Sequence, residues 1–243
     1  MQYHDRVETI AEWTNKEDAL KIINAKANFG RRSVFTNALE TATRFLQKTP
    51  LENRHLVLIT DGTDSLSDAS QRNAAMRNLL ATDINVHIVS YTKMELIDIE
   101  PRTKGASSKP MPKVLPPEVA ATLPNGVRDV AITANILTIN TDRAFLKKMR
   151  ERKNSLIESE TYLTALSRDT NGALVLPESK EEMLQKTALI AGVIDSSYVI
   201  TYVPKRPLTE SKAGEVRDIE VTSRRADLLV QARRKLIAAD YKK

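Results

Sequence analysis

Two apolar stretches decide the fold of this chain: RHLVLITDGTDS at residues 54–65 and INVHIVSY at residues 84–91. Residues 55–60 form a continuous apolar run, which is typical of a strand in a parallel sheet that is covered on both faces. Residues 84–91 are expected to form the next buried strand. Residues 67–81 lie between them and carry alanines and leucines at helical spacing. A strand–helix–strand unit of this kind predicts a right-handed parallel connection. The sequence therefore predicts an α/β fold with a doubly wound, mostly parallel sheet flanked by helices.

The same alternation of elements continues on both sides of this unit. The patterns predict a strand within 6–13, helices at 14–27, 34–47, 142–168 and 180–194, and strands at 136–139, 173–176, 198–203, 216–222 and 228–232. Asn171 and Gly172 are expected to end the long helix. We divide the chain into a core at 1–100, a Pro/Lys-rich insertion at 101–135, the closing part of the core at 136–205 and a small C-terminal β extension at 206–243.

Composition excludes several classes of protein. The 243 residues include no cysteine, so neither disulfides nor thiolate chemistry is possible. The formal net charge of +6 is modest and aromatic residues make up only 5% of the chain, whereas a nucleic-acid binder concentrates basic charge with interleaved aromatics. No apolar stretch reaches the roughly 18 residues of a membrane span. The first residues, MQYHDRVETIAEW, lack the apolar region of a signal peptide.

Several of these segments together resemble the von Willebrand factor A (vWA) family. RHLVLITDGTDS resembles the family strand that ends in an Asp-Gly turn, and INVHIVSYT resembles the strand that follows one helix later. The stretch from LTALSRDTNGALVLP to SSYVITYVP is similar to the closing part of a bacterial vWA-related subgroup, and VRDIEVTSRRADLLVQARRKL resembles its extra C-terminal strands. The resemblance implies a vWA/Rossmann-like fold and a protein–protein interaction module that is not an enzyme.

The resemblance also implies a place for a divalent cation, usually Mg²⁺, at the metal-ion-dependent adhesion site of the family. Asp61 matches the aspartate of the Asp-Gly turn, and Ser33 lies where the family has a ligating threonine. Hard cations prefer such oxygen ligands. The family's Asp-x-Ser-x-Ser segment is absent, and Arg31 and Arg32 replace small residues and would repel a cation. We therefore expect an incomplete metal site, with Mg²⁺ as the only candidate cofactor.

The loops at the carboxyl end of the sheet are the expected contact surface for a protein partner. Arg31, Arg32 and Asp64 are the candidate partner-binding residues, with the arginines suited to an acidic partner. Asp64 has an alternative role as a cap of the following loop or helix. The competing hypothesis is a Mg²⁺-dependent hydrolase or phosphotransferase acting through Asp61, and a third is a nucleic-acid scaffold.

Three further expectations concern the rest of the sequence. The histidines at positions 55 and 87 are expected to pack in the core, since nothing pairs them with a nucleophile. The basic run at 147–153 is expected to be a solvated helix face. Because the chain starts at a segment that resembles the family's second strand, we expect a truncated N-terminus. A missing leader would reconcile the family's frequent export with the absence of a signal sequence.

Overall fold

The computed structural model describes residues 1–27, 32–107, 138–139, 141–207, 210–227 and 230–238. The helices among them are α1 (Lys16–Lys26), α2 (Phe35–Gln47), α3 (Ala69–Leu80), α4 (Thr92–Ile99), α5 (Arg143–Asp169) and α6 (Lys180–Asp195), with a 3-10 turn at Glu100–Thr103. The strands are β1 (Gln2–Tyr3), β2 (Val7–Glu8), β3 (His55–Thr60), β4 (Asn85–Ser90), β5 (Ala106–Ser107), β6 (Thr138–Ile139), β7 (Leu174–Val175), β8 (Val216–Asp218) and β9 (Lys235–Ile237).

A three-stranded parallel sheet in the order β3-β4-β7 forms the centre of the fold. β3 and β4 pair over their whole length, from His55 opposite Asn85 to Thr60 opposite Ser90. β7 adds to the other side of β4, with Ile88 opposite Leu174. Helices pack on both faces of this sheet, so the predicted α/β fold class is confirmed.

The two faces of the sheet are covered unequally. Helices α2, α3 and α5 pack on one face and form the main core with the inward residues of β3 and β4. On the other face, α6 packs through Ile190 against Val89 and Val175. α6 does not cover β3, where Val57 is 44% exposed and Ile59 is 63% exposed. The expectation that β3 is covered on both faces is therefore wrong, because the only helix described on that face packs over β4 and β7.

Helix α5 ends as the sequence predicts. Asn171 adopts a left-handed backbone conformation with φ 63°, and its N–H donates to the carbonyl of Arg168. The Gly172 N–H donates to the carbonyl of Ser167, which completes a Schellman motif. Gly172 also lies against β4, since a Cβ at this position would be 1.6 Å from the Val86 carbonyl oxygen. The glycine therefore both ends the helix and permits close packing on the sheet.

Some predicted elements differ from the structure. Helix α4 was not predicted, because its eight residues carry too short a periodic pattern. Residues 198–203 are predicted as a strand but are not paired as one, and Tyr198 and Tyr202 are 91% and 58% exposed. The strand expected within 6–13 is confined to β2.

The C-terminal β extension is present as an antiparallel pair. β8 falls inside the predicted strand at 216–222, and β9 begins three residues after the predicted strand at 228–232. Positions 228 and 229 lie outside the described residues, as do 108–137 of the Pro/Lys-rich insertion. Within the described part of the chain, no helix is both long and apolar enough to cross a membrane.

Candidate functional site

Asp61 lies at the carboxyl end of β3, where the chain turns away from the sheet. Gly62 follows with φ 68°, a conformation that glycine adopts without strain. The Asp61 side chain is almost fully buried, and its Oδ1 accepts the Thr63 N–H at 3.0 Å. The Thr63 hydroxyl donates to Asp61 Oδ2 at 2.9 Å. The turn thus holds the carboxylate in a fixed orientation.

A half-buried ion cluster surrounds this carboxylate. Arg152 Nη2 donates to Asp61 Oδ2 at 2.8 Å. The same guanidinium binds Glu95 through two contacts of 2.7 Å, from Nε to Oε1 and from Nη2 to Oε2. Arg152 Nη1 also donates to the Thr63 hydroxyl at 3.1 Å. One guanidinium therefore bridges two carboxylates, and such bidentate geometry is the strong form of an ion pair.

Helix α5 places Arg152 in the cluster through the spacing of its buried residues. Leu156, Ser159, Leu163 and Leu166 are buried on the face of α5 that packs on the sheet. Arg152 precedes Leu156 by four residues, so it lies on the same face, one turn nearer the carboxyl edge of the sheet. The interpretation of the basic run at 147–153 as a solvated face is therefore wrong for Arg152. The spacing of 152, 156, 159 and 163 is the signal that identifies it.

Burial and the two carboxylates shift the pKa of Arg152 in opposite directions. Burial alone would lower the pKa of its guanidinium, but the hydrogen bonds and charges of Glu95 and Asp61 outweigh burial and raise the pKa. Tyr91 lies nearby at the start of α4. Partial burial, followed by the charge of Asp61, raises the pKa of Tyr91 to about 12, so its phenol stays protonated at neutral pH.

Ser33 lies in the loop before α2 and Asp64 lies three residues after Asp61, and the two residues join that loop to the turn. The Ser33 hydroxyl donates to the Thr63 carbonyl at 2.7 Å. Asp64 Oδ2 accepts the Thr36 N–H in the first turn of α2 at 2.7 Å, while its Oδ1 accepts the N–H groups of Leu66 and Ser67 at 3.0 Å. The capping role considered for Asp64 is thus present, and it ties two loops together. The structure brings Ser33, Asp61 and Asp64 into one cluster.

Hydrogen bonding sets the charge state of Asp64. Burial alone would raise the pKa of this carboxyl, but the N–H donor of Thr36, followed by those of Leu66 and Ser67, outweighs burial and lowers the pKa. Asp64 is therefore held as a carboxylate whose oxygens are already engaged. Its role in binding a partner stays a prediction.

Of the two arginines that are predicted to bind a partner, the structure describes one. Arg32 is exposed beside Ser33. Arg31 lies outside the described residues. The structure therefore presents one of the two candidate contacts with an acidic partner.

The residues present do not fit a divalent cation as they are arranged. Asp61 Oδ2 already accepts two donors, and the positive charge next to it belongs to Arg152. The Ser33 hydroxyl is engaged with a backbone carbonyl. In the described ranges, no group of three or more His, Asp or Glu side chains is placed to hold a metal ion. The guanidinium takes the position next to Asp61 where a cation would otherwise neutralise the carboxylate.

A second polar cluster lies near the opposite, amino-terminal end of the strands. His55 Nδ1 and His87 Nε2 are 2.8 Å apart, and the two rings are stacked. The Ala173 N–H donates to His87 Nδ1 at 3.1 Å, so the proton of neutral His87 lies on Nε2 and is donated to His55. His55 Nε2 then carries its own proton, which faces the Ser197 hydroxyl at 3.3 Å. Burial, followed by the charge of His55, lowers the pKa of His87 to about 4.

Comparison with known proteins adds little to this geometry. No family model matches the chain, and no curated protein matches it. Among solved structures, the chain is similar to an aerotolerance-related membrane protein from Bacteroides fragilis NCTC 9343, crystallised with multiple mutations to serines. The identity is 15% and the TM-score is 0.34, over 76% of this chain and 71% of that chain. Likeness at this level carries no argument about function.

Proposed function

We propose that this chain is a protein-interaction module that binds an acidic partner at the carboxyl end of its sheet, without a metal ion. The observation that carries the proposal is the bridge from Arg152 to Asp61 and Glu95, at 2.7–2.8 Å. A cation-dependent module needs a metal to present positive charge to a partner's carboxylate. Here the guanidinium of Arg152, which is one-third exposed, is fixed in that place and neutralises Asp61, so the exposed cations around the turn can meet an acidic partner without a metal.

The start of α5 supports an acidic partner. The first turn of this helix contains no acidic residue, although the positive end of a helix dipole favours acidic side chains there. The exposed cationic residues in the first two turns of the helix are Arg143, Lys147, Lys148 and Arg150. Only Arg143 lies in the first turn, where a cation costs roughly 0.3–1 kcal/mol, and Asp142 at the N-cap already binds the N–H groups of Ala144 and Phe145. The cations that follow form an exposed basic surface that suits an anionic partner.

The alternative of a hydrolase or phosphotransferase receives less support. A catalytic carboxylate must reach its substrate. Asp61 is only 6% exposed and each of its oxygens accepts a hydrogen bond within the chain. This arrangement favours an electrostatic and structural role for Asp61 over a role as nucleophile or general base.

Anisotropy titrations of a fluorescein-labelled glutamate decamer into the full chain test this proposal, in buffer with and without EDTA. We expect saturable binding that EDTA does not change and that weakens as salt increases. The double variant Arg32→Glu/Lys148→Glu should bind at least about tenfold more weakly, a loss of roughly 1.4 kcal/mol. Arg224→Glu/Arg225→Glu, a double charge reversal in the C-terminal extension, is the matched control.

Two results would contradict the proposal. Binding that EDTA abolishes would mean that a metal is required. An equal loss of affinity in Arg224→Glu/Arg225→Glu would mean that net charge alone, and not the carboxyl end of the sheet, drives association. A random-sequence single-stranded DNA of equal charge that binds more tightly than the peptide would favour a nucleic-acid scaffold.

A further inference from the structure

No described strand covers the outer edge of β3. In the described ranges β3 pairs with β4 alone, so the backbone groups on its other side have no strand partner. Val57 and Ile59 are exposed on the face beside this edge. Natural proteins protect such edges with charges, prolines or bulges. The sequence HLVLIT has none of these, so it is suited to receive another strand.

Residues 198–203 have the composition and the length of the missing neighbour. Their sequence, YVITYV, consists only of β-branched and aromatic residues, the best strand formers. Tyr198 is 91% exposed, Ile200 is 75% exposed and Val203 is 93% exposed. Six extended residues span about 20 Å, the length of six-residue β3. Pro204 follows and ends any strand.

Ser197 fixes where this segment starts. Its hydroxyl accepts a hydrogen bond from Asn53 Nδ2 at 2.9 Å and faces His55 Nε2 at 3.3 Å. Ser197 is therefore level with Arg54, immediately before β3 begins. The segment after Ser197 starts at the amino-terminal end of the open edge and can run parallel to β3, with Tyr198 opposite His55.

The connection through α6 has the required handedness. The chain moves from β3 to β4 through α3, and α3 packs on the first face of the sheet. A connection from β7 to the outer edge of β3 moves in the reverse direction, and α6 packs on the opposite face. Because the crossover through α6 reverses both the direction along the sheet and the face on which the helix packs, it has the same hand as the crossover through α3. It therefore follows the rule that parallel connections are right-handed.

We infer that residues 198–203 dock on the outer edge of β3 as a fourth parallel strand of the sheet. In the register set by Ser197, Val57 lies beside Ile200 and Ile59 lies beside Tyr202, so the exposed apolar side chains of both segments meet on one face. The end of the docked strand lies beside Thr60. Docking therefore carries the next residues, including Lys205, to the carboxyl end of the sheet, next to the Asp61 turn.

The docked and undocked positions are alternatives for the residues that follow. In the undocked position Arg206 forms an ion pair with Glu215, and its carbonyl accepts a hydrogen bond from Arg217. Docking exchanges these exposed contacts for backbone hydrogen bonds along β3. The segment is thus a strap with two positions, and its docked position adds basic charge to the candidate site. This inference does not depend on the proposed function.

A cysteine pair in the full chain tests the docking, because the sequence contains no cysteine of its own. Val57→Cys with Ile200→Cys places two thiols side by side on one face in the expected register. Val57→Cys with Thr201→Cys is the matched control, since adjacent strand residues point to opposite faces. Under mild oxidation we expect the first pair to form an intramolecular disulfide at least about tenfold faster, since disulfides tolerate little change in geometry.

Two outcomes would overturn the docking. Equal rates for the two pairs would mean that the strap does not adopt the register. A disulfide that forms between two copies of the chain would mean that a second molecule covers the edge instead.

Hydrogen exchange tests the docking independently and needs no cross-link. Alternate N–H groups of a strand point towards the same neighbouring strand. The double variant Ile200→Pro/Thr201→Pro therefore removes one N–H that would bind β3, in either orientation of the strap. We expect the outward amides of β3 to exchange faster in this variant than in the wild type. Unchanged exchange at β3 would contradict the docking.

Discussion

The paired histidines predict a loss of stability in mild acid. His87 is 1% exposed, and its Nδ1 accepts the Ala173 N–H. Protonation would place a second N–H against this donor and a charge in the core, which explains why the pKa of His87 falls from 6.5 to about 4. Burial also lowers the pKa of His55. The folded state therefore binds fewer protons than the unfolded state.

The sign and the size of the effect follow from this difference. The contribution is fully present above about pH 6.5 and is lost as the pH falls from 6.5 towards 4, because the unfolded chain binds the proton first. For a shift from 6.5 to about 4, linkage gives a loss of about 2 kcal/mol at pH 5 and about 3 kcal/mol at pH 4. His55 adds to this loss in the same direction.

Urea unfolding between pH 7.5 and pH 4 measures this loss directly. In His87→Gln, an amide can still accept from Ala173 and donate to His55 but does not titrate. We expect this variant to be less stable at pH 7.5 and to show a much smaller decrease in free energy of unfolding between pH 6.5 and pH 4. Val86→Ala, which removes no titratable group from the same strand, is the control and should keep the wild-type slope. An unchanged slope in His87→Gln would refute the reasoning.

Two further predictions concern stability. Asp64→Ala removes the acceptor for three backbone N–H groups and should lower the free energy of unfolding by about 1–2 kcal/mol in urea titrations; an effect below 0.5 kcal/mol, the size typical of a neutral surface substitution, would show that the cap is dispensable. Gly172→Ala should cost at least about 3 kcal/mol in thermal melts because its Cβ would overlap the Val86 carbonyl, whereas Gly192→Ala, with no atom near its Cβ, should stabilise α6 by up to about 1 kcal/mol. Equal effects at the two glycines would contradict the close approach of Gly172 to β4.

The sequence predicts the core of the fold because each element there carries its own local signal. β3 and β4 are rich in apolar residues, and the Asn171-Gly172 pair ends α5 through a backbone conformation that few other residues adopt. Residues 198–203 carry an equally strong strand signal, yet no described strand pairs with them. A strand signal reports side-chain preference, whereas pairing also depends on the contacts that neighbouring segments offer the chain.

The candidate site is only partly predictable for a similar reason. Asp61, Ser33 and Asp64 follow from the resemblance of local segments, and they do lie together. Arg152 is more than eighty residues from Asp61 in sequence, and Glu95 is on a helix too short to predict. Their meeting depends on how α4 and α5 pack over the carboxyl end of the sheet. In the sequence, only the spacing of Arg152 with the buried leucines of α5 indicates that Arg152 faces the sheet.

Thermal melts with and without millimolar Mg²⁺ test whether Arg152, and not a metal ion, supplies the positive charge at Asp61. We expect the wild-type Tm to be unchanged. Arg152→Met leaves Asp61 and Glu95 without their shared partner, so it should lose about 1–2 kcal/mol after allowance for partial exposure, and Mg²⁺ should recover part of this loss. A wild-type Tm that rises with Mg²⁺ by the equivalent of about 2.7 kcal/mol, with no such rise in Asp61→Ala, would mean that a metal ion and not Arg152 neutralises Asp61.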